Sequence, residues 1–326
     1  MRLRQYIIKR LYTSLVTFIL IIILNFFIFR IMPGDPTRTV AGDARLRPET
    51  RELLKKKFGL DKPLWQQFII YVKNLLRGDF GVSFQYQGTP VLSLILGRRM
   101  VNTFLLMGSS IAIALVIGIA LGTVAAWKRG SKLDVATLTI SLVSYSIPTF
   151  WVGMLIILIF GFYLKLIPLS GTITPGVHYE SFFQYAKDYL HHMIGPLVTL
   201  VISFIGYYFM IMRNTLLDVF TEDYMLTARA KGLRKRTILF RHALRNALLP
   251  MISVVALEVV YLFSGATATE TVFSWHGLGL LIYESVVKAD YPVLQGTFFF
   301  IALSVLIANL IADIVYAIVD PRIRYD

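Results

Sequence analysis

The 326 residues include no cysteine. That excludes disulfides, thiol catalysis and any cysteine-ligated metal. No Gly-Lys dipeptide occurs either, so there is no G-x-x-x-x-G-K-[ST] loop to cradle a nucleotide phosphate. A G-x-S-x-G nucleophile elbow and an H-E-x-x-H helix are both missing. No catalytic residue can be named, and any nucleotide that drives this molecule must be held by another polypeptide. Charge is scarce as well, at 16% Asp, Glu, Lys and Arg, against about 25% in soluble domains. Acid is the scarcer sign: 19 Asp and Glu face 33 Lys and Arg, a net charge of +14. No aromatic-interleaved basic groove accompanies that excess, so nucleic acid is not an expected partner.

Apolar residues make up 56% of the chain, and they lie in runs long enough to cross a bilayer, about 20 residues each. The expected fold class is an all-α integral membrane protein with six transmembrane helices. The runs are Leu11–Ile31, Thr103–Trp127, Ala136–Leu164, Ile194–Leu217, Ala247–Thr269 and Leu294–Val319. The first outlasts the roughly 7–15-residue apolar core of a secretory signal and is read as a retained span. Ala136–Leu164 is too long for one straight span and contains Pro148, so a break or kink is expected there.

Six spans put both termini on one side, and basic residues say which. Short segments on the terminal side carry Arg2, Arg4, Lys9 and Arg10, then Lys128, Arg129 and Lys132, then Arg213 and a basic stretch, then Arg322 and Arg324. The shorter loops opposite carry only Lys165, Lys187 and Lys288. This asymmetry predicts cytoplasmic termini in a multi-pass cell (plasma or inner) membrane protein. The basic loop Pro33–Asn102 is no exception, because loops beyond about 60 residues cross largely regardless of charge. The organisation read from this is a cytoplasmic N-terminus and first span over 1–31, an extracytoplasmic loop over 32–102, and a five-helix core over 103–326 with a cytoplasmic loop at 218–246. Within the long loop, Asp61 and Pro63 start an amphipathic helix through Leu64, Phe68, Val72 and Leu75, and Gly78 stops it.

Ionisable residues inside spans are costly and raise a functional question. Glu258 and Asp313 are two, and Asn309 lies four residues before Asp313 on one helix face. They are read either as pathway or proton sites, or as hydrogen-bond partners between helices. Tyr207, Tyr208 and Tyr261 are aromatic candidates for a pathway wall or for packing. His178, His191 and His192 share one loop, but adjacent histidines diverge on a helix and no carboxylate has ligand spacing, so no metal site is expected.

The stretch around which the chain is organised is Glu222–Pro250, EDYMLTARAKGLRKRTILFRHALRNALLP. Cations Arg229, Lys231, Arg234, Lys235, Arg236, Arg241 and Arg245 surround Ala228, Ala230 and Gly232. Ala228 and Gly232, four residues apart, predict a bare helix face that a partner's backbone could approach. A lipid-bound amphipathic helix is the other reading of the same cations.

The order of small residues, Gly232, spacer and Leu249-Pro250 resembles the cytoplasmic coupling loop of ABC-importer permeases. IMPGDP at Ile31–Pro36, FGLDKPLWQQFIIYVKNLLRGDFGVS at Phe58–Ser83, ETVFSWHGLGLLIYESVVKADYPVLQG at Glu270–Gly296 and DIVYAIVDPRIRY at Asp313–Tyr325 extend the likeness over nearly the whole chain. They resemble the B-type subunit of the dipeptide/oligopeptide (Opp/Dpp) permease family. His276 departs from it, standing where the family usually has proline. The resemblance implies a type I importer fold, with a second homologous permease, two ABC ATPase subunits carrying ATP and Mg, and an extracytoplasmic solute-binding protein. This chain would bind no cofactor itself. The coupling residues implied are Glu222, Asp223, Tyr224, Ala228, Arg229, Ala230, Lys231 and Gly232. Peptide is the leading substrate class, with oligosaccharides or nickel complexes as alternatives. An ion-coupled secondary transporter using Glu258 and Asp313 is the rival class.

Overall fold

The computed structural model describes residues 3–31, 62–86 and 88–319. Motif residues Met32–Pro36, Phe58–Asp61 and Asp320–Tyr325, and the cations Arg2, Arg322 and Arg324, lie outside the described residues. The rest is helical, with no strand among the described residues and one isolated bridge between Val82 and Pro90. In chain order the helices are α1 (Leu3–Ile31), α2 (Leu64–Leu76), α3 (Val91–Leu96), α4 (Arg98–Trp127), α5 (Lys132–Ser146), α6 (Thr149–Ile156), α7 (Phe182–Val219), α8 (Asp223–Ala230), α9 (Leu244–Ser264), α10 (Thr267–Val272), α11 (Leu278–Val287) and α12 (Tyr291–Val319). π-Helical turns extend α6 over Ile157–Tyr163 and precede α9 over Ile238–Ala243.

Among the described residues, four continuous stretches are long and apolar enough to cross a bilayer: Gln5–Arg30, Val91–Trp127, Phe182–Val219 and Tyr291–Ile311. The pair α5–α6 with its π-helical extension is apolar enough to make a fifth if taken as one broken span, and it bends by 99°. The bend falls at Ile147-Pro148, where proline can open a helix but cannot continue one. The break expected at Pro148 is therefore present. Where Ala247–Thr269 is expected, α9 runs 21 residues and ends at Gly265, whose φ is +72°. That length spans about 31 Å at 1.5 Å per residue. By contrast α7 starts at Phe182, well before the expected Ile194, because Ser181 caps it by accepting from the Gln184 amide.

By its contacts the chain forms two compact units, Met1–Thr103 with His276–Asp326, and Phe104–Trp275. In the first, α1 packs along α12 through Phe18 on Phe299 and Phe29 on Phe298. Buried Asn25 donates to the Gln295 carbonyl at 3.3 Å and accepts from the Tyr71 hydroxyl at 3.0 Å. That polar link, with Phe68 and Tyr71 against Phe26, seats α2 on α1. The expected helix limits hold, with Pro63 before the first turn and Gly78 at φ +73° after the last. The following turn is tied to α11 and its C-terminal end. Asp290 accepts from Ser83 Oγ and from the amides of Phe84 and Gln85, and Glu284 accepts from Tyr86 at 2.6 Å and pairs with Arg99 at 3.3 Å.

In the second unit, close helix packing depends on glycine. A Cβ at Gly118 would lie 2.6 Å from Tyr208 Cβ, and one at Gly122 would lie 2.8 Å from the Phe209 carbonyl oxygen. These two glycines, four residues apart on α4, let α7 approach backbone to backbone. Gly206 does the same for α7 against Ser141 of α5. Buried Leu200, Tyr208, Met212 and Leu216 run along α7 as the spine of the core.

Candidate functional site

The stretch Glu222–Pro250 opens with a short helix of its own. Glu222 precedes α8 with extended backbone and no side-chain cap. Asp223 lies in the first turn and Arg229 in the last, each at the end of the helix dipole that favours its charge. Met225 (0% exposed) and Ala228 (5% exposed) face inward, sharing a core with Leu216, Ile238, Leu239, Ala243 and Ala247. Their i, i+3 spacing is what anchors one side of so short a helix. The π-helical turn over Ile238–Ala243 supplies Ile238, Leu239 and Ala243 to that anchor. Asn246 at the start of α9 donates to the Tyr224 hydroxyl at 2.8 Å, a second tie between α8 and α9.

The docking face read from the sequence changes in two respects. Ala228 is turned into the chain's own core, so it is not part of an open face. Gly232 lies beyond the helix, which ends at Ala230, and adopts φ +69° with its amide donating to the Arg229 carbonyl at 2.9 Å. Its role in this chain is to stop the helix in the left-handed region, where glycine has no Cβ penalty. Glu222, Asp223, Tyr224, Arg229, Ala230, Lys231 and Gly232 are exposed. Leu226, which the sequence reading passed over, joins them at 63% exposure. No signal in the sequence set Leu226 apart, because packing decides which face of α8 turns inward.

Glu258 of α9 lies beside Tyr208 of α7. Asp313 pairs with Arg10 at 3.1 Å, so the basic N-terminal residue, rather than Asn309, meets this carboxylate. Asn309 is exposed on the same helix. Tyr208 is buried, Tyr207 is half-buried, and the Tyr261 side chain lies outside the described residues. His191 and His192 contact the carbonyls of Leu166 and Asp188. Among the described residues no group of three or more His, Asp or Glu could hold a metal ion.

Candidate membrane-spanning helices, glycine-packed contacts and a short surface helix between two long ones describe a helical membrane protein. The family follows from sequence comparison. The profile described as "Binding-protein-dependent transport system inner membrane component" matches residues 118–325, and its N-terminal companion, "Binding-prot-dependent transport system membrane comp, N-term", matches 3–107. The chain belongs to this family of binding-protein-dependent transport system inner membrane components. It is 38% identical over 320 residues to the oligopeptide transport system permease protein AppB of Bacillus subtilis, covering 98% of this chain and 99% of the relative. Over 337 residues it is 36% identical to the dipeptide transport system permease protein DppB of Escherichia coli K12, with the same coverage. A third relative, the glutathione transport system permease protein GsiC of Escherichia coli, is 35% identical over 321 residues, again with 98% and 99% coverage.

Proposed function

We propose that this chain is one permease subunit of an ATP-driven type I ABC importer for dipeptides or oligopeptides. It forms half of the pathway with a homologous permease, docks two ATPase subunits that carry ATP and Mg, and receives solute from an extracytoplasmic binding protein. The observation that carries this reading is the surface helix α8, anchored by Met225 and Ala228 yet presenting Tyr224, Leu226, Ala230 and flanking charges outward. Such a helix, held firmly on one side and open on the other, can act as a lever when a partner moves. The bias of basic residues toward the terminal side supports cytoplasmic termini, with the loop 218–246 facing the ATPases and 32–102 outside. Peptide is supported by the full-length likeness to relatives named for oligopeptide and dipeptide transport. The secondary-transporter reading is disfavoured, because Asp313 is paired with Arg10 within the chain and the full-length relatives are named as permeases of peptide transport systems.

The test is uptake by the co-purified complex with its binding protein in liposomes, with no ion gradient, offering a peptide mixture or an oligosaccharide mixture. Peptide uptake only with ATP is the expected result, and gradient-driven uptake by the permease alone would sink it. Gly232→Asp is expected to suppress uptake while the spans stay folded. Gly232→Asn, whose side chain tolerates the left-handed backbone, separates helix ending from docking: full uptake means that Gly232 only stops α8.

A further inference from the structure

The end of α7 that leads into α8 is latched to the first turn of α5. Arg213 lies in the last two turns of α7 and grips Asp134 with two hydrogen bonds, Nε to Oδ1 at 2.7 Å and Nη2 to Oδ2 at 3.0 Å. Asp134 is 3% exposed, and its Oδ2 also accepts from the Gly130 amide at 2.9 Å. Ser131 caps α5 by accepting from the Asp134 amide. Alongside, Trp127 at the end of α4 meets Phe220, the residue after α7, edge to face with ring centres 5.8 Å apart. On the other side of Arg213, α4 comes so close that a Cβ at Gly122 would lie 3.1 Å from the Arg213 amide nitrogen. The end of α7 is thus held to the start of α5 by the fork and to the end of α4 by the ring contact.

Two-point fork geometry resists rotation in a way that a single contact cannot. A rigid link here has a mechanical consequence. α5 is the first arm of the pair that bends by 99° at Pro148. A displacement of α8 moves the end of α7, and through Arg213 and Asp134 it moves α5 and the bend.

We propose that the Asp134–Arg213 pair is a positioning device that transmits movement of the coupling helix α8 to the bent helix pair α5–α6. This rests on the importer reading above, in which α8 is moved by an ATPase. A pair serving only stability would lower assembly, hydrolysis and uptake together. A transmitting pair instead separates hydrolysis from uptake.

The experiment uses the whole complex in liposomes and reads solute taken up per ATP hydrolysed, with complex yield and thermal midpoint measured beside it. Asp134→Asn and Arg213→Met are expected to keep assembly and hydrolysis while uptake per ATP falls roughly tenfold, within the usual range of coupling between sites. The double variant should be no worse than either single one, the signature of one shared interaction. Arg213→Lys, which keeps the charge but not the fork, should fall between wild type and Arg213→Met. Unchanged uptake per ATP in the single variants overturns the proposal, as does a proportional loss of uptake, hydrolysis and thermal midpoint. If Asp134→Asn fails to assemble, Arg213→Lys decides, and a wild-type ratio there overturns it. A wild-type complex without ATP-dependent uptake would instead fell the importer reading, and this link with it.

Discussion

At the residue scale, the costly groups are the ones whose partners matter most. Buried Asn25 accepts from the Tyr71 hydroxyl at 3.0 Å. Removing one partner of a buried hydrogen bond costs about 1–3 kcal/mol. Tyr71→Phe should therefore lower the thermal midpoint of the detergent-solubilised chain while ATP-driven uptake survives in the reconstituted complex. Glu258 lies beside buried Tyr208, and Glu258→Gln should leave that uptake intact. Were Glu258 an obligatory proton site, Glu258→Gln would abolish uptake in a complex of normal yield. His276 gives a pH prediction outside the spans. Partial burial, reinforced by Arg99 and opposed by Glu284, holds its ring below the usual imidazole range. The folded chain therefore binds this proton less readily than the unfolded chain does. Between the lowered value and the ordinary value of about 6.5, the unfolded state holds more protons, so stability rises with pH. Above that range the effect vanishes. Thermal midpoints measured from pH 5 to pH 8 should fall on the acid side, and His276→Gln should flatten that fall. A slope unchanged by the substitution would assign the acid loss to other groups.

At the element scale, glycine decides which helices can touch. At Gly118 and Gly122 an added Cβ would meet Tyr208 Cβ at 2.6 Å and the Phe209 carbonyl oxygen at 2.8 Å, whereas at Gly108, on the same helix, the nearest atom is Leu262 Cδ2 at 3.9 Å. Gly122→Ala must push α4 from α7 and should cost about 1–3 kcal/mol, as overpacking does. Gly108→Ala should be neutral or stabilising by up to about 1 kcal/mol. Thermal unfolding of the two variants side by side checks this, and equal midpoints would show that α4 and α7 are not in close register. Much of the helical order is legible in the chain's apolar runs, and the break at Pro148 follows from proline's missing N–H. The extra turns at the start of α7 were hidden because Gln184, Lys187 and Asp188 interrupt the apolar pattern that marks a span, while a single serine cap suffices to start the helix there. The two π-helical turns have no signal in residue periodicity. The stretch Glu222–Pro250 stood out by its spacing, but which face of α8 turns inward was not legible. Ala228 and Gly232 read as neighbours on one face only if the helix continues, and Gly232 at φ +69° is where it cannot.

At the scale of the whole molecule, the coupling reading stands or falls on sidedness, which is a matter of summed charge rather than of any one contact. Basic residues in short loops resist translocation, so the loops holding Arg129 and Lys235 should face the cytoplasm and those holding Glu180 and Lys288 should face outward. All four positions are exposed, and the chain has no cysteine to give background labelling. Single substitutions Arg129→Cys, Lys235→Cys, Glu180→Cys and Lys288→Cys can therefore be probed with a membrane-impermeant maleimide on intact cells. Positions 180 and 288 should react at once, and positions 129 and 235 only after permeabilisation. Changing one cation should not flip the chain, because the bias is spread over several short segments, and each single variant is a control for the others. The reverse pattern would place α8 outside the cell, out of reach of any ATP-hydrolysing partner. It would remove the lever, the Asp134–Arg213 transmission and the importer reading together, whatever solute was taken up.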